Sequence, residues 1–222
     1  QGAIRGGAGL VTGVLPRSLM TPFTVAVPAA TTADRDADGI GACASADAIV
    51  CGPGLPPDEA HRLVRALRIA ADAPLVLDAG ALDVSTLLDA HAAISTPHPG
   101  EAARLLDSTS ADVQADRDGA VRELVRRFGG TCVLKGANTL VCDGERLYEN
   151  RTGNCGLATG GTGDVLSGLI GAFLARGMEP FDAACAAVHV HGAAGDLVAE
   201  RLSPDGLCAT DLPLAIAEVL GR

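Results

Sequence analysis

Residues 153–177, GNCGLATGGTGDVLSGLIGAFLARG, run a glycine-rich loop straight into an apolar helical pattern and plant Asp164 at the joint. Gly160, Gly161 and Gly163 let backbone N–H groups converge on one anion at a helix N-terminus, which is how phosphate is bound. No Lys-Ser or Lys-Thr follows, so this is not a Walker loop. An Asp in a first helical turn is ordinarily a cap that favours the helix dipole. Beside a phosphate, however, it also repels the ligand, by about a few kcal/mol at low effective dielectric. That cost makes sense where the acid takes the proton of a hydroxyl attacking the phosphate. Asp164 is therefore read as a catalytic base.

Other polar residues stand at the ends of apolar runs. STPHPGE (95–101) places His98 near a helix N-cap with Pro99 after it and Glu101 in the first turn. It reads either as a rigid turn with an exposed His or as an imidazole aimed into a cleft. VLKGANT (133–139) ends a run with Lys135, either a solvated lysine or an ammonium for phosphate. CGPGL (51–55) is a tight turn, and Asp78 in PLVLDAG (74–80) is a cap or a polar anchor. His189 and His191 lie on an apolar helical pattern and are read as packing or helix–helix hydrogen bonding.

The elements that must position these residues follow from periodicity and punctuation. GLVTGV (9–14) and FTVAVP (23–28) read as strands, and 31–42 as a solvated loop. ADAIVCGPGLPP (46–57) is a strand into a turn, 58–71 a helix, and 74–80 a strand. Residues 93–106 pass from a short strand into a helix, and 118–129 form an amphipathic helix. TCVLKG (131–136) is a strand, 139–150 a hairpin with an Asp-Gly turn, and helices follow near 163–177, 182–200 and 211–221. Such alternation predicts a mostly parallel α/β sheet with helices on both faces, in which ligands sit beyond the strands' carboxyl ends. That rule gathers Gly52, Gly54, Asp78, His98, Lys135 and the glycine loop along one edge.

The 222 residues suit one domain, 1–222. Apolar residues make up 48% but aromatics only 2%, so the core must be Ala, Val, Leu and Ile, as parallel sheets favour. A net charge of −10 argues against nucleic-acid binding, and an anionic ligand needs a local site to override it. No run is long and apolar enough to predict a membrane span. Seven scattered cysteines without zinc-like spacing predict reduced, buried thiols in the cytoplasm and no protein metal site. The chain opens at Gln1 inside what reads as a helix end, which is read as the start of a fragment.

Taken in order, GPGL, TPHPGE, LKGANTLV and GNCGLATGGTGDVLSGLIGAFLARG resemble the ADP-dependent (S)-NAD(P)H-hydrate dehydratase family of the ribokinase-like superfamily, over about residues 5–220. The resemblance implies a ribokinase-like fold that repairs NAD(P)HX, with ADP as phosphoryl donor, Mg²⁺, and AMP and phosphate as products. It implies that Gly54, His98 and Asp164 contact the hydrated dinucleotide. Lys135, Gly136, Ala137, Asn138, Thr139 and Gly163 would contact the adenine nucleotide. A homo-oligomer and an epimerase domain or partner are further implications. Two departures from the family are expected: its Gly-rich N-terminal strand, turn and helix, which supply a further dinucleotide contact, are missing, and Gly80 stands in DAGAL where the family carries a second Asp. The alternatives are a small-molecule kinase of the same superfamily, acting on hydroxymethylpyrimidine or hydroxyethylthiazole, and a non-catalytic nucleotide-binding fragment.

Overall fold

The computed structural model describes residues 1–36, 39–90 and 94–222. A short helix α1 (Gly2–Arg5) leads to strand β1 (Thr12–Leu15), and helix α2 (Arg17–Ala26) brings the chain back to strand β2 (Thr31–Asp34). β1 and β2 pair in parallel, Thr12 opposite Thr31, as a small sheet apart from the main one.

Two sequence expectations are corrected here. FTVAVP is not a strand, because its first four residues lie on α2. Met20, Phe23 and Val27 recur at helical spacing on the half-buried side, and the Phe23 ring covers Gly13 of β1. Covering the small sheet overrides the β preference of Thr24 and Val25. Nor is 31–42 a loop throughout: it holds β2 and helix α3 (Gly39–Cys43). The hydroxyls of Thr12 and Thr31 lie 2.8 Å apart in a cross-strand hydrogen bond, so these polar residues serve strand pairing. Residues 37–38 of that reading, and residue 93 of the 93–106 reading, lie outside the described residues.

The main sheet takes its six strands in sequence order: β3 (Ile49–Cys51), β4 (Leu75–Leu77), β5 (Ile94–Ser95), β6 (Thr131–Leu134), β7 (Leu140–Cys142) and β8 (Leu147–Glu149). β3 to β6 are parallel, and β7 and β8 add antiparallel strands. Helices α4 (Pro57–Ala70), α5 (Val84–Ala90), α6 (Pro99–Leu105), α7 (Ser110–Ala115) and α8 (Arg117–Phe128) cover one face. Helices α9 (Thr162–Ala175), α10 (Pro180–Leu202) and α11 (Leu212–Leu220) cover the other.

Strand alternation sorts the core between these layers. Leu75, Leu77, Cys132, Leu134, Leu140 and Cys142 face the first; Val76, Ile94, Val133 and Val141 face the second. Where the sheet is buried on both faces its strands read as unbroken apolar runs, as β4 and β7 do, while β5 and β6 admit the buried Ser95 and Thr131. On the second face α10 buries Ala183, Ala184, Ala187 and Ala194, so small side chains take the place of the missing aromatics. Cys43, Cys51, Cys132 and Cys142 are buried, but Cys155 and Cys208 are exposed and Cys185 is intermediate. The expectation of buried thiols thus holds for four of the seven, since the exposed two sit on turns outside the packed strands. Among the described residues no helix is long and apolar enough to cross a membrane.

Candidate active site

Four adjacent parallel strands end on one side, and each end carries a polar feature. The GPG turn follows β3, Asp78 follows β4, Thr96-Pro97-His98 follows β5, and Lys135 follows β6. At the centre is Asp78, whose residue surface is 1% exposed. Its Oδ1 accepts from Lys135 Nζ at 2.8 Å and from the Ala79 N–H at 2.9 Å. Its Oδ2 accepts from Ser167 Oγ, in the second turn of α9, at 2.6 Å. Burial pushes the Asp78 carboxyl up, but the Lys135 ammonium and the hydrogen bonds from Lys135 and Ser167 outweigh it and hold the group below its ordinary value. Lys135 is not a solvated strand-end lysine: its side chain is 19% exposed, and Glu101 Oε2 stands 3.9 Å from Nζ.

The glycine loop is strapped down from behind. Gly161, in a left-handed conformation with φ 88°, is the N-cap of α9. Thr162 Oγ1 lies 2.7 Å from the Leu157 carbonyl and 2.9 Å from that of Thr159. Asp196 of α10 accepts from the Gly153 N–H at 2.8 Å and from Asn154 Nδ2 at 3.0 Å. His191 of α10 donates from Nε2 to the Thr162 carbonyl at 3.0 Å. Burial pulls His191 down to about 4, so it is a neutral strap between helices, as its apolar setting led us to expect. His189 is exposed, and its carbonyl accepts from Thr152 Oγ1.

Gly163 brings the loop to the buried ion pair. A Cβ there would stand 3.4 Å from Lys135 Nζ and 3.8 Å from Asp78 Oδ2. Asp164 follows, in the first turn of α9, at the solvent-open mouth. Partial burial and the Asp78 charge push its carboxyl above the ordinary value, with the Lys135 ammonium opposing them. A carboxylate of raised proton affinity at a helix N-terminus is suited to accepting a proton.

On the other side, His98 is itself the cap of α6. Its Nδ1 accepts from the Gly100 N–H at 3.0 Å and the Glu101 N–H at 3.3 Å, while Glu101 Oε2 accepts from the His98 N–H at 2.8 Å. The imidazole is therefore fastened to its own helix start, and its Nε2, on a side chain that is 56% exposed, lies 3.6 Å from Glu101 Oε1. Gly54, at φ 73°, has open space around it. The GPGL turn and the DAG segment interlock: a Cβ at Gly80 would overlap the Leu55 carbonyl oxygen, and one at Gly52 the Asp78 carbonyl oxygen. The backbone of the GPGL turn thus fills the space in which an Asp at position 80 would begin.

The Gly136–Thr139 loop stands between β6 and β7, with Gly136, Ala137 and Asn138 exposed and Thr139 Oγ1 donating to the Gly136 carbonyl at 2.9 Å. Arg117 of α8 closes the end of β6 from behind, donating to the Leu134 carbonyl at 3.0 Å. A cavity of about 450 Å³ opens beside the loop, between Arg117, Ala137, Asn138, Leu140, Leu147 and Glu149. Sequence reasoning missed Ser167, Arg117 and Asp196 and gave Glu101 no role. The one available signal was a polar residue breaking an apolar helical face, as Ser167 and Asp196 do.

A family model for NAD(P)H-hydrate dehydratase matches residues 1–218. The chain belongs to that family. It is 40% identical over 218 residues to the bifunctional NAD(P)H-hydrate repair enzyme of Escherichia coli, covering 96% of this chain and 42% of that one. It is 48% identical over 160 residues to the ADP-dependent (S)-NAD(P)H-hydrate dehydratase of Neisseria meningitidis, covering 68% and 54%. The chain thus spans about half the length of these curated relatives. A crystal structure of the ADP/ATP-dependent NAD(P)H-hydrate dehydratase of Bacillus subtilis, co-crystallised with ATP and Mg²⁺, superposes with a TM-score of 0.84 at 30% identity. That match covers all of this chain and 84% of the other. The ribokinase-like fold expected from the sequence is the fold observed.

Proposed function

We propose that the chain, acting as one catalytic unit over residues 1–222, dehydrates (S)-NAD(P)HX to NAD(P)H at the expense of ADP. The observation that carries this reading is the placing of Asp164, with its raised proton affinity, at the N-terminus of α9 next to Gly163, Lys135 and Asp78. Hydroxide is a poor leaving group, so the C6 hydroxyl is first phosphorylated. Asp164 takes its proton as the oxygen attacks the β-phosphorus of ADP, and AMP departs. The N–H groups of the glycine loop stabilise the transferring phosphoryl. The nicotinamide nitrogen lone pair then expels phosphate, and loss of the C5 proton restores the dihydropyridine. The elements of water leave within the phosphate.

In this reading Gly54, His98 Nε2 and Asp164 face the hydrated dinucleotide, while Lys135, Gly136, Ala137, Asn138, Thr139 and Gly163 face the adenine nucleotide. The site's net formal charge does not attract an anion, since Asp78, Glu101 and Asp164 outnumber Lys135, which offers a phosphate the ammonium N–H donors that Asp78 leaves unused. Among the described residues no cluster of three His, Cys, Asp or Glu side chains could hold a metal ion. Mg²⁺ therefore enters as the counter-ion of the nucleotide, held by phosphate oxygens and water. Assembly into a homo-oligomer and cooperation with an epimerase, which the bifunctional relatives suggest, belong to the same proposal.

The test is direct. Incubated with NADHX and ADP, the purified chain should regenerate NADH absorbance with one AMP and one phosphate per turnover. A stable phosphorylated product without NADH would instead favour a small-molecule kinase. Nucleotide binding without either product would leave a non-catalytic nucleotide-binding chain.

A further inference from the structure

Asp78 does not fit the role of a ligand contact. It is buried, and both of its oxygens are engaged by Lys135, Ala79 and Ser167. Stability alone does not account for it either, because a buried ion pair is on balance a weak source of stability against an apolar replacement. Its partners suggest a different purpose. Lys135 lies 57 positions away and Ser167 lies 89 away, and Asp78 joins the end of β6 to the second turn of α9. Those are the two elements that carry the ammonium and the base of the proposed reaction.

Resting on that reading, we propose that Asp78 is a positioning residue: it holds Lys135 Nζ and the start of α9 in one geometry and supplies the fixed negative charge beside Asp164. The charged groups around Asp164 come from separate elements. They are Asp78 after β4, Lys135 after β6 and, one step out through Lys135, Glu101 of α6. His191 of α10 reaches the Thr162 carbonyl and stays neutral. Removing the Asp78 charge takes away the repulsion and leaves the Lys135 charge uncompensated, and both changes make Asp164 easier to ionise.

The decisive variant is Asp78→Asn, which keeps the shape but loses the charge and turns one acceptor oxygen into a donor, so that Ser167 Oγ must accept where it now donates. Its kcat/KM should fall by at least about tenfold, and the acid limb of its pH profile should move to lower pH. A purely structural Asp78 would lower the rate and leave that limb where it was, which overturns the proposal. A second experiment does not depend on that variant folding. Lys135→Ala and Ser167→Ala, measured singly and together, should affect ADP affinity non-additively, because both act through one carboxylate. Additive effects overturn the proposal as well. Asp164→Asn separates the two levels: near-normal turnover there removes the base reading itself. Loss of turnover, combined with an unmoved acid limb in Asp78→Asn, removes only the role given to Asp78.

Discussion

The two sides of the mouth are built differently. On the side proposed for the nucleotide, Lys135, Asp78, Ser167 and Glu101 form a half-buried charge network drawn from four elements. On the side proposed for the dinucleotide, His98 is fastened to its own helix and the GPGL turn offers mostly backbone. A network spread over the fold fixes geometry to the precision that the proposed chemistry needs, whereas local turns shape a surface that in the same proposal has only to bind. Substitutions on the first side should therefore act on turnover and phosphate affinity, and those on the second on substrate affinity and local stability.

The sharpest way to break this contrast is Asp164→Asn. Turnover should drop by about 10²–10⁴-fold while ADP still binds in calorimetry, since the loop N–H groups remain. The same variant carries a pH signature. Because the folded chain holds a proton on Asp164 more tightly than the unfolded chain does, the stability tied to this group is complete below the ordinary carboxylate value. It is lost as pH rises through the raised folded value. Asp164→Asn should accordingly melt at a higher temperature than the wild type near neutral pH, and the gap should close in acid.

Lys135→Ala comes next, with ADP affinity weakened by about 1.5–3 kcal/mol, as for a charge-assisted hydrogen bond to phosphate. Unchanged affinity by titration would mean that Lys135 serves Asp78 alone. Gly80→Ala should cost about 1–3 kcal/mol of stability through overpacking against Leu55, read by denaturant melts, with kcat little altered. The smallest effect belongs to His98→Ala. Losing the cap should cost about 1 kcal/mol and raise KM for NAD(P)HX, leaving ADP affinity alone. A loss of kcat as large as that of Asp164→Asn would place His98 in the chemistry and end the contrast.

The main body of the fold was legible because each strand is a short apolar run closed by Gly, Pro or a polar residue. Of the small N-terminal sheet only β1 was, within GLVTGV; its partner was not, since α2 carries Thr24 and Val25 while β2 is built on threonines. Asp78 and Lys135 were each visible at a strand end, but their contact was not. It depends on β4, β5 and β6 lying in that order, a fact of topology with no local signal. His98 was placed at a cap, but that its own ring nitrogen would be the capping acceptor could not be read from Pro99 and Glu101.

The overlap between position 80 and the Leu55 carbonyl also governs how this chain can be recombined. Two segments 25 positions apart share one volume, roughly that of a methyl group, and only one of them can occupy it. An Asp at position 80 is compatible only with a GPGL turn set farther from the β4 end than this one. A chimera that takes one turn from each parent inherits either a collision or a void where β3 and β4 end. The unit that can be exchanged between relatives is the pair of turns.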